Sequence, residues 1–221
     1  GTLVDYEPDR TQLEYPETLR LVQLWGGSVD HELFLAQWDA SSADLEQVSA
    51  NTFEEFTMLD AAGAFAATAG LVLSQDQVTE LAATFIAEWE RHVTPVVGVT
   101  NLITSLAGTY RLGIVSNTHD PHMVTSMLQK MGVDNHVEMI VLSVDHGHCK
   151  PHPSIYERAI ERMGCAPSSI AFVGDSYESD YLGPRREGME AYLIDPQALH
   201  RLPATARLQS VLDLAALLLP V

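Results

Sequence analysis

Residues 170–180, IAFVGDSYESD, decide the fold of this chain. Ile170 to Gly174 is a short apolar run closed by glycine, which is typical of a strand buried on both faces of a sheet. Two acidic residues follow it, Asp175 and Asp180. Ligands of open α/β sheets bind beyond the carboxyl ends of the strands. The stretch therefore predicts a strand that carries two carboxylates to a polar site.

The sequence around this stretch, from Pro95 onward, alternates between apolar strands and amphipathic helices. This alternation predicts an α/β fold with a doubly wound, parallel sheet that has helices on both faces. The predicted strands are 110–116, 139–143, 170–174 and 191–194, and the predicted helices are 99–107, 121–131, 153–163, 181–188 and 208–218.

Residues 11–93 have a different texture, with apolar residues at helical spacing only. Val78, Leu81, Phe85 and Trp89 form the longest apolar stripe, and Ser74 is the predicted N-cap of that helix. We therefore expect two domains: an α/β core built from residues 1–10 and 94–221, and an all-helical domain over residues 11–93.

Composition limits the classes of partner. The chain has 221 residues with 12 basic and 30 acidic side chains, a formal charge of −18. Such a surface repels phosphate backbones and anionic lipids, so we expect no nucleic-acid partner and no membrane partner. No apolar run reaches the ~20 residues of a membrane span.

Two cysteines, Cys149 and Cys165, make no disulfide framework and favour a cytoplasmic location.

Polar residues follow three of the predicted strands: 116–120, 144–150 and 175–180. Ordinary solvated loops would explain any one of these clusters. All three fall at the same edge of the predicted sheet, so we expect a polar active site there.

These clusters resemble motifs of the haloacid dehalogenase superfamily, in the same order. Residues 114–118, IVSNT, resemble its second motif; 150–153, KPHP, followed by Ile155 and Tyr156, resemble the third; and FVGDSYESD at 172–180 resembles the fourth. Residues 1–5, GTLVD, resemble the tail of the first motif, Asp-x-Asp-Gly-Thr-Leu. The resemblance covers essentially the whole chain and identifies residues 11–93 with the helical cap that one subgroup carries between the first two motifs.

The resemblance implies a Rossmann-like core and magnesium-dependent hydrolysis of a small phosphate monoester. It implies that Asp175 is a metal ligand and that Asp180 holds a metal-bound water or orients Lys150. Lys150 would supply a fixed positive charge, and Ser116 would donate a hydrogen bond to a phosphoryl oxygen. The backbone amides of Asn117 and Thr118, and Thr2 just past the nucleophile loop, complete the implied phosphate site.

In the superfamily's first motif, the nucleophilic Asp lies three residues before the position of Gly1, and the general acid/base Asp lies immediately before it. The strand preceding them is usually central in the sheet, and its loss would expose its neighbours. We therefore expect the sequence to be part of a longer polypeptide. The alternative is a catalytically inactive binding or regulatory protein that lacks the nucleophile.

Other reactions of the superfamily fit less well. Haloacid dehalogenases depart from the fourth motif that Asp175 and Asp180 complete, and phosphonate cleavage uses a cap lysine, which residues 11–93 lack. Phosphomonoester hydrolysis by a monomer or homodimer is the remaining expectation. The cluster of His146, His148, Cys149 and His152 leaves open a structural transition-metal site, although it lacks a second ligand pair at a recognisable spacing.

Overall fold

The structure is a computed structural model that describes residues 1–6 and 12–219. The chain falls into two compact units, one formed by Gly1–Asp5 and Pro95–Val221 and the other by Tyr6–Thr94. The predicted domain boundary between residues 10 and 11 lies outside the described residues. No helix in the described part of the chain is long and apolar enough to cross a membrane.

The described strands and helices follow the alternation of the sequence. The strands are β1 (Val4–Tyr6), β2 (Val93–Pro95), β3 (Leu112–Ser116), β4 (Val137–Leu142), β5 (Ala171–Gly174), β6 (Glu190–Ile194) and β7 (Arg207–Leu208). The α-helices are α1 (Pro16–Leu24), α2 (His31–Thr52), α3 (Met58–Thr68), α4 (Gln75–Glu90), α5 (Val99–Ala107), α6 (Met123–Met131), α7 (Ser143–His146), α8 (Pro153–Met163), α9 (Gly183–Arg186) and α10 (Leu214–Leu218).

The strands of the α/β unit pair in parallel, as the fold class predicts, but they form separate pieces. Strand β3 pairs with β4, and β5 pairs with β6, which in turn pairs with β7. Strands β1 and β2 form a further two-stranded sheet. Among the described residues, β3 and β5 therefore each have one edge without a partner strand.

Burial differs between the strands. Strand β6, which has a neighbour on each side, buries Ala191 and Leu193 at 1% and 0% exposure. In contrast, Val115 of β3 and Phe172 and Val173 of β5 are only partly buried. Val115 and Phe172 pack on one side against the cluster that contains Tyr156 of α8, and each belongs to a strand with an open edge among the described residues.

The predicted helix over 208–218 is wrong at its beginning. Leu208 lies in β7, a 3-10 turn follows at Val211–Asp213, and α10 begins only at Leu214. The helix begins late because of Ser210 and Asp213. The Asp213 carboxylate accepts hydrogen bonds from the main-chain N–H groups of Gln209 and Ser210. This cap fixes a turn where apolar periodicity alone suggests a continuous helix.

The unit formed by Tyr6–Thr94 contains α1 to α4 around an aromatic core. Trp38 stacks on Phe85 with ring centroids 4.0 Å apart, and Phe85 stacks on Tyr15 at 4.7 Å. Ser74 is the N-cap of α4, as predicted, with a capping box to Gln77.

A buried glutamate ties α4 to the beginning of α1. Both oxygens of Glu88 accept hydrogen bonds at 2.8 Å from main-chain N–H groups, those of Glu17 and Thr18, and the Thr18 hydroxyl donates a further bond of 2.6 Å. A carboxylate at a helix N-terminus satisfies orphan donors and interacts favourably with the helix dipole. The carboxylate is thus both buried and fully bonded.

We predict that Glu88→Gln lowers the free energy of unfolding by about 1–3 kcal/mol, because an amide nitrogen would face helix N–H donors. Thermal or urea unfolding of the purified protein measures this. Glu80→Gln, an exposed position on the same helix, is the control and should stay within about 0.5 kcal/mol of the parent protein. Equal stability of the two variants would contradict the capping role of Glu88.

Candidate active site

A buried ion pair lies at the centre of the candidate site. Lys150 Nζ is 2.6 Å from Asp180 Oδ1, with side-chain exposures of 11% and 6%. The second oxygen, Asp180 Oδ2, accepts a 2.9 Å hydrogen bond from the Ser176 main-chain N–H. Lys150 Nζ also lies 5.6 Å from the centroid of the Phe172 ring. A buried ion pair offsets its desolvation cost only when its remaining groups are bonded in this way.

The carboxylate of Asp180 reaches this position because residue 174 is glycine. A Cβ on Gly174 would lie 2.3 Å from Asp180 Cγ, closer than any side chain tolerates. Gly174 is the last residue of β5, and Asp180 belongs to a π-helix, Tyr177–Leu182, that follows it. The glycine of the motif is thus a steric requirement for placing Asp180 against the strand end.

Tyr156 supports the π-helix from α8. Its hydroxyl donates a hydrogen bond to the Ser179 carbonyl, and it occupies the space where a Cβ on Gly183 would be. Burial raises the pKa of Tyr156, and the nearby charge of Asp180 adds to this effect. The phenol therefore stays protonated and keeps donating over the whole range in which the protein would work.

Asp175 is exposed, in contrast to Asp180. Its side chain is 47% accessible, and its Oδ1 accepts a 2.9 Å hydrogen bond from the Thr2 hydroxyl. The Gly1 nitrogen lies 3.7 Å from Asp175 Oδ2. The beginning of the described chain and the end of β5 therefore meet at this carboxylate.

The loop after β3 supplies the remaining predicted residues. The Ser116 hydroxyl has a weak 3.3 Å bond to the Asn117 carbonyl. The Asn117 carboxamide bonds the main chain of Lys150, with Oδ1 accepting from the Lys150 N–H at 2.8 Å and Nδ2 donating to the Lys150 carbonyl at 3.0 Å. The Thr118 N–H donates to the Ser143 hydroxyl at 2.9 Å, so this amide already has a partner.

The predicted residues thus fall into two bonded groups. Asn117, Lys150 and Asp180 form one chain of contacts, which Ser116 joins through its weak bond to the Asn117 carbonyl, and Thr2 and Asp175 form the other. The supporting roles of Tyr156 and Ser143 were missed from sequence. The aromatic residue after the KPHP motif is a usable signal for the first, whereas nothing in the sequence around Ser143 marks the second.

The residues of the histidine cluster contact one another and Ser154. Ser154 Oγ lies 2.7 Å from His146 Nε2 and 2.8 Å from His152 Nδ1, and His148 stacks on His152 with centroids 4.2 Å apart. Burial lowers the pKa of His146, and the neighbouring imidazoles lower it further. No group of three or more His, Cys, Asp or Glu among the described residues is arranged to hold a metal ion.

We predict that Gly174→Ala destabilises the protein by about 1–3 kcal/mol, because the new methyl group must displace the Asp180 carboxylate. The matched control is Gly63→Ala in helix α3, where an added Cβ has nothing within 4 Å and alanine is the better helix former. Thermal unfolding of both variants measures the difference. Equal melting temperatures would show that the approach of Asp180 to Gly174 is not a constraint.

Comparison with known proteins places the chain in a family. A family model described as "Haloacid dehalogenase-like hydrolase" matches residues 35–194, well over half of the chain. The chain is 38% identical over 108 residues to "Haloacid dehalogenase-like hydrolase domain-containing protein 3" of Danio rerio, a match that covers 47% of this chain and 44% of the relative.

Two further comparisons bear on activity and fold. The chain is 33% identical over 88 residues to "Glyceraldehyde 3-phosphate phosphatase" of Methanothermobacter thermautotrophicus, covering 40% of this chain and 38% of that protein. The matched segments thus span less than half the length of these relatives. The solved 2-haloacid dehalogenase of Pseudomonas syringae pv. Tomato DC3000 superposes with a TM-score of 0.68 at 19% identity, over 98% of this chain and 94% of that chain, which shows the fold. The predicted superfamily and α/β fold class are confirmed, and the chain belongs to the haloacid dehalogenase-like hydrolase family.

Proposed function

We propose that the full-length protein is a magnesium-dependent phosphohydrolase that cleaves a small phosphate monoester through an aspartyl-phosphate intermediate. One observation carries the proposal: the buried ammonium of Lys150 is held on Asp180, which follows the same strand, β5, as the exposed carboxylate of Asp175. The similarity to a protein named glyceraldehyde 3-phosphate phosphatase supports the same reaction class.

The charges of the two reactants explain why a fixed cation is needed. A phosphate monoester and an attacking carboxylate are both anionic, and their repulsion must be offset before they can meet. Lys150 is suited to this task because its ammonium is held in position before substrate arrives. A preorganised charge in a partly dry site stabilises the transition state without reorganising at the moment of reaction.

The donor set around Asp175 fits a magnesium ion. Mg²⁺ prefers hard oxygen ligands, keeps several of its waters, and needs only one or two protein carboxylates together with substrate oxygens. Asp175 offers an exposed carboxylate whose Oδ1 is oriented by Thr2. Asp180 is bonded to Lys150 and would act from behind Asp175, not as a direct ligand of the ion. The ion would supply positive charge that neutralises the phosphoryl oxygens.

The other predicted residues have assignable tasks in this reaction. The Ser116 hydroxyl, at the end of β3, is free to rotate from its weak bond and donate to a phosphoryl oxygen. For Asn117, we assign the main-chain N–H to the binding of the phosphate. Thr2 would act through Asp175.

We propose that the nucleophilic Asp lies three residues before Gly1 and that the general acid/base Asp lies immediately before it. Two observations support this. The Gly1 nitrogen is 3.7 Å from Asp175 Oδ2, so residues joined to it would lie beside the proposed metal ligand. The unpaired edges of β3 and β5 among the described residues also suit a further strand.

In the proposed reaction, an oxygen of the nucleophilic carboxylate forms a bond to phosphorus while the bond from phosphorus to the ester oxygen breaks. The second aspartate gives a proton to the departing alcohol. It then takes a proton from water, whose oxygen attacks the phosphorus of the aspartyl phosphate, and inorganic phosphate leaves with the carboxylate restored.

The substrate class is a small phosphorylated metabolite. Residues 11–93 carry 14 acidic and two basic side chains, a balance of −12. Such a balance disfavours highly anionic substrates such as nucleotides. The assignment of these residues as the cap stays a prediction.

The direct test is hydrolysis of para-nitrophenyl phosphate by the full-length protein, including any residues that precede Gly1. We predict turnover that requires Mg²⁺, disappears with EDTA and returns when Mg²⁺ is added. Asp175→Asn should lower activity to the level of the chelated protein, because the amide lacks the charge that binds the ion. Asp44→Asn, an exposed position in α2, is the control and should hydrolyse like the parent protein.

Other results would overturn the proposal. A folded full-length protein that is inert with and without Mg²⁺ would favour a binding or regulatory role, and release of halide from 2-chloropropionate without metal would favour dehalogenation. The intact mass and N-terminal sequence of the natural product complete the test, because a chain that lacks the upstream aspartates cannot form the intermediate.

A further inference from the structure

The Asn117 carboxamide makes hydrogen bonds to both main-chain groups of Lys150. Its Oδ1 accepts from the Lys150 N–H at 2.8 Å, and its Nδ2 donates to the Lys150 carbonyl at 3.0 Å. A contact from the Ser179 hydroxyl to the same carbonyl is longer, at 3.4 Å. The carboxamide thus joins the loop after β3 to the loop before α8, across 33 residues of sequence.

We infer that Asn117 is a positioning residue that fixes the main chain of Lys150, and that its side chain is not a phosphate ligand. This inference deepens the proposed function and rests on it for the chemistry that Lys150 performs. The geometry on which it depends is independent of the reaction.

The residue type matches the task. Among polar side chains of this length, only a carboxamide presents one acceptor and two donor hydrogens from a single planar group. It can therefore satisfy an N–H and a C=O of the same residue, whereas aspartate only accepts and leucine does neither. The pairing uses the Oδ1 acceptor and one of the two Nδ2 hydrogens, and it fixes the plane of the carboxamide against the Lys150 main chain.

Neighbouring contacts make the attachment point rigid. The next residue, Thr118, is buried and bonded to Ser143 by its N–H, and the Ser143 hydroxyl is within 3.3 Å of the Thr118 carbonyl. Asn117 is therefore anchored to the end of β4 as well as to β3.

Lys150 is consequently held at both ends. Asn117 holds its main chain, and Asp180 and the face of Phe172 hold its ammonium. A lysine side chain has four rotatable bonds, so the ammonium stays in place only if both ends are fixed. Loss of the Asn117 contacts should let Lys150 shift while the fold persists.

A double-mutant cycle in kcat/KM tests the inference in the full-length protein. We predict that Asn117→Ala lowers kcat/KM for para-nitrophenyl phosphate by roughly 10- to 100-fold, the range for a group that orients another. In the Lys150→Met background the same change should have almost no effect, within about twofold. The control is Asn101→Ala, an exposed position in helix α5, which should match the parent protein.

A direct phosphate ligand would give a different pattern. Asn117→Ala would then weaken the binding of inorganic phosphate, measured by calorimetry with Mg²⁺ present, in the Lys150→Met background as well. Such additive losses would overturn the inference. Asn117→Asp provides a second variant, since it keeps the size of the side chain but puts an acceptor against the Lys150 carbonyl, and we predict a loss as large as that of Asn117→Ala.

A second readout does not depend on catalysis. Lys130 and Lys150 are the two lysines of residues 1–221, so ¹³Cε-lysine labelling gives few signals. We predict that the Lys150 signal, shifted by the Phe172 ring, moves toward the position of an exposed lysine in Asn117→Ala, while the Lys130 signal does not move. An unmoved Lys150 signal would overturn the inference. A moved signal in a protein that hydrolyses no phosphomonoester would overturn only the proposed function.

Discussion

The ion pair between Lys150 and Asp180 is the constraint on which the rest of this site depends. Both side chains are almost fully buried, and one without the other would leave an unpaired charge inside the protein, at a cost of several kcal/mol. The surrounding structure is arranged so that this cost does not arise. Asp180 is bonded through both of its oxygens, to Lys150 and to the Ser176 N–H, and Lys150 is thereby held as a fixed positive charge.

Three features of the α/β unit follow from this pair. Gly174 leaves room for the Asp180 carboxylate, and the Ser176 N–H bonds its second oxygen. Tyr156 holds the π-helix that carries Asp180 and needs Gly183 to do so. The Asn117 carboxamide bonds the main-chain N–H and carbonyl of Lys150, at the other end of that residue from its ammonium. Asp175, by contrast, is left exposed, which suits a group that must exchange water and ligand.

Much of this arrangement could be predicted from the sequence, and the reasons for the exceptions are physical. Helices α5 and α8 have the predicted bounds because their apolar periodicity is strong and glycine follows each of them. Ser116 ends β3 and Asp175 follows β5, as the apolar runs that precede them predict. The helix predicted from Leu208 was wrong because a hydrogen-bonded turn at Ser210 and Asp213 overrides periodicity. The contacts of Asn117 and Tyr156 join residues far apart in sequence, so no local pattern encodes their partners, although the aromatic residue after the KPHP motif marks Tyr156 itself.

The division of the parallel sheet into β3–β4 and β5–β6–β7 could not be predicted from the described strands themselves. Each strand has the apolar run of a fully paired one, yet Val115 and Phe172 remain partly exposed beside edges that have no partner among the described residues. The proposed upstream strand would account for both the sequence pattern and the incomplete burial.

The most direct measurement of the central claim is a crystal structure of the full-length protein with Mg²⁺ and orthovanadate. The account predicts the metal on Asp175 and the vanadate within hydrogen-bond distance of Ser116 Oγ and Lys150 Nζ, with Lys150 still on Asp180 and Asn117 still bonded to the Lys150 main chain. A vanadate bound elsewhere, or a metal that leaves Asp175 without a ligand, would contradict it.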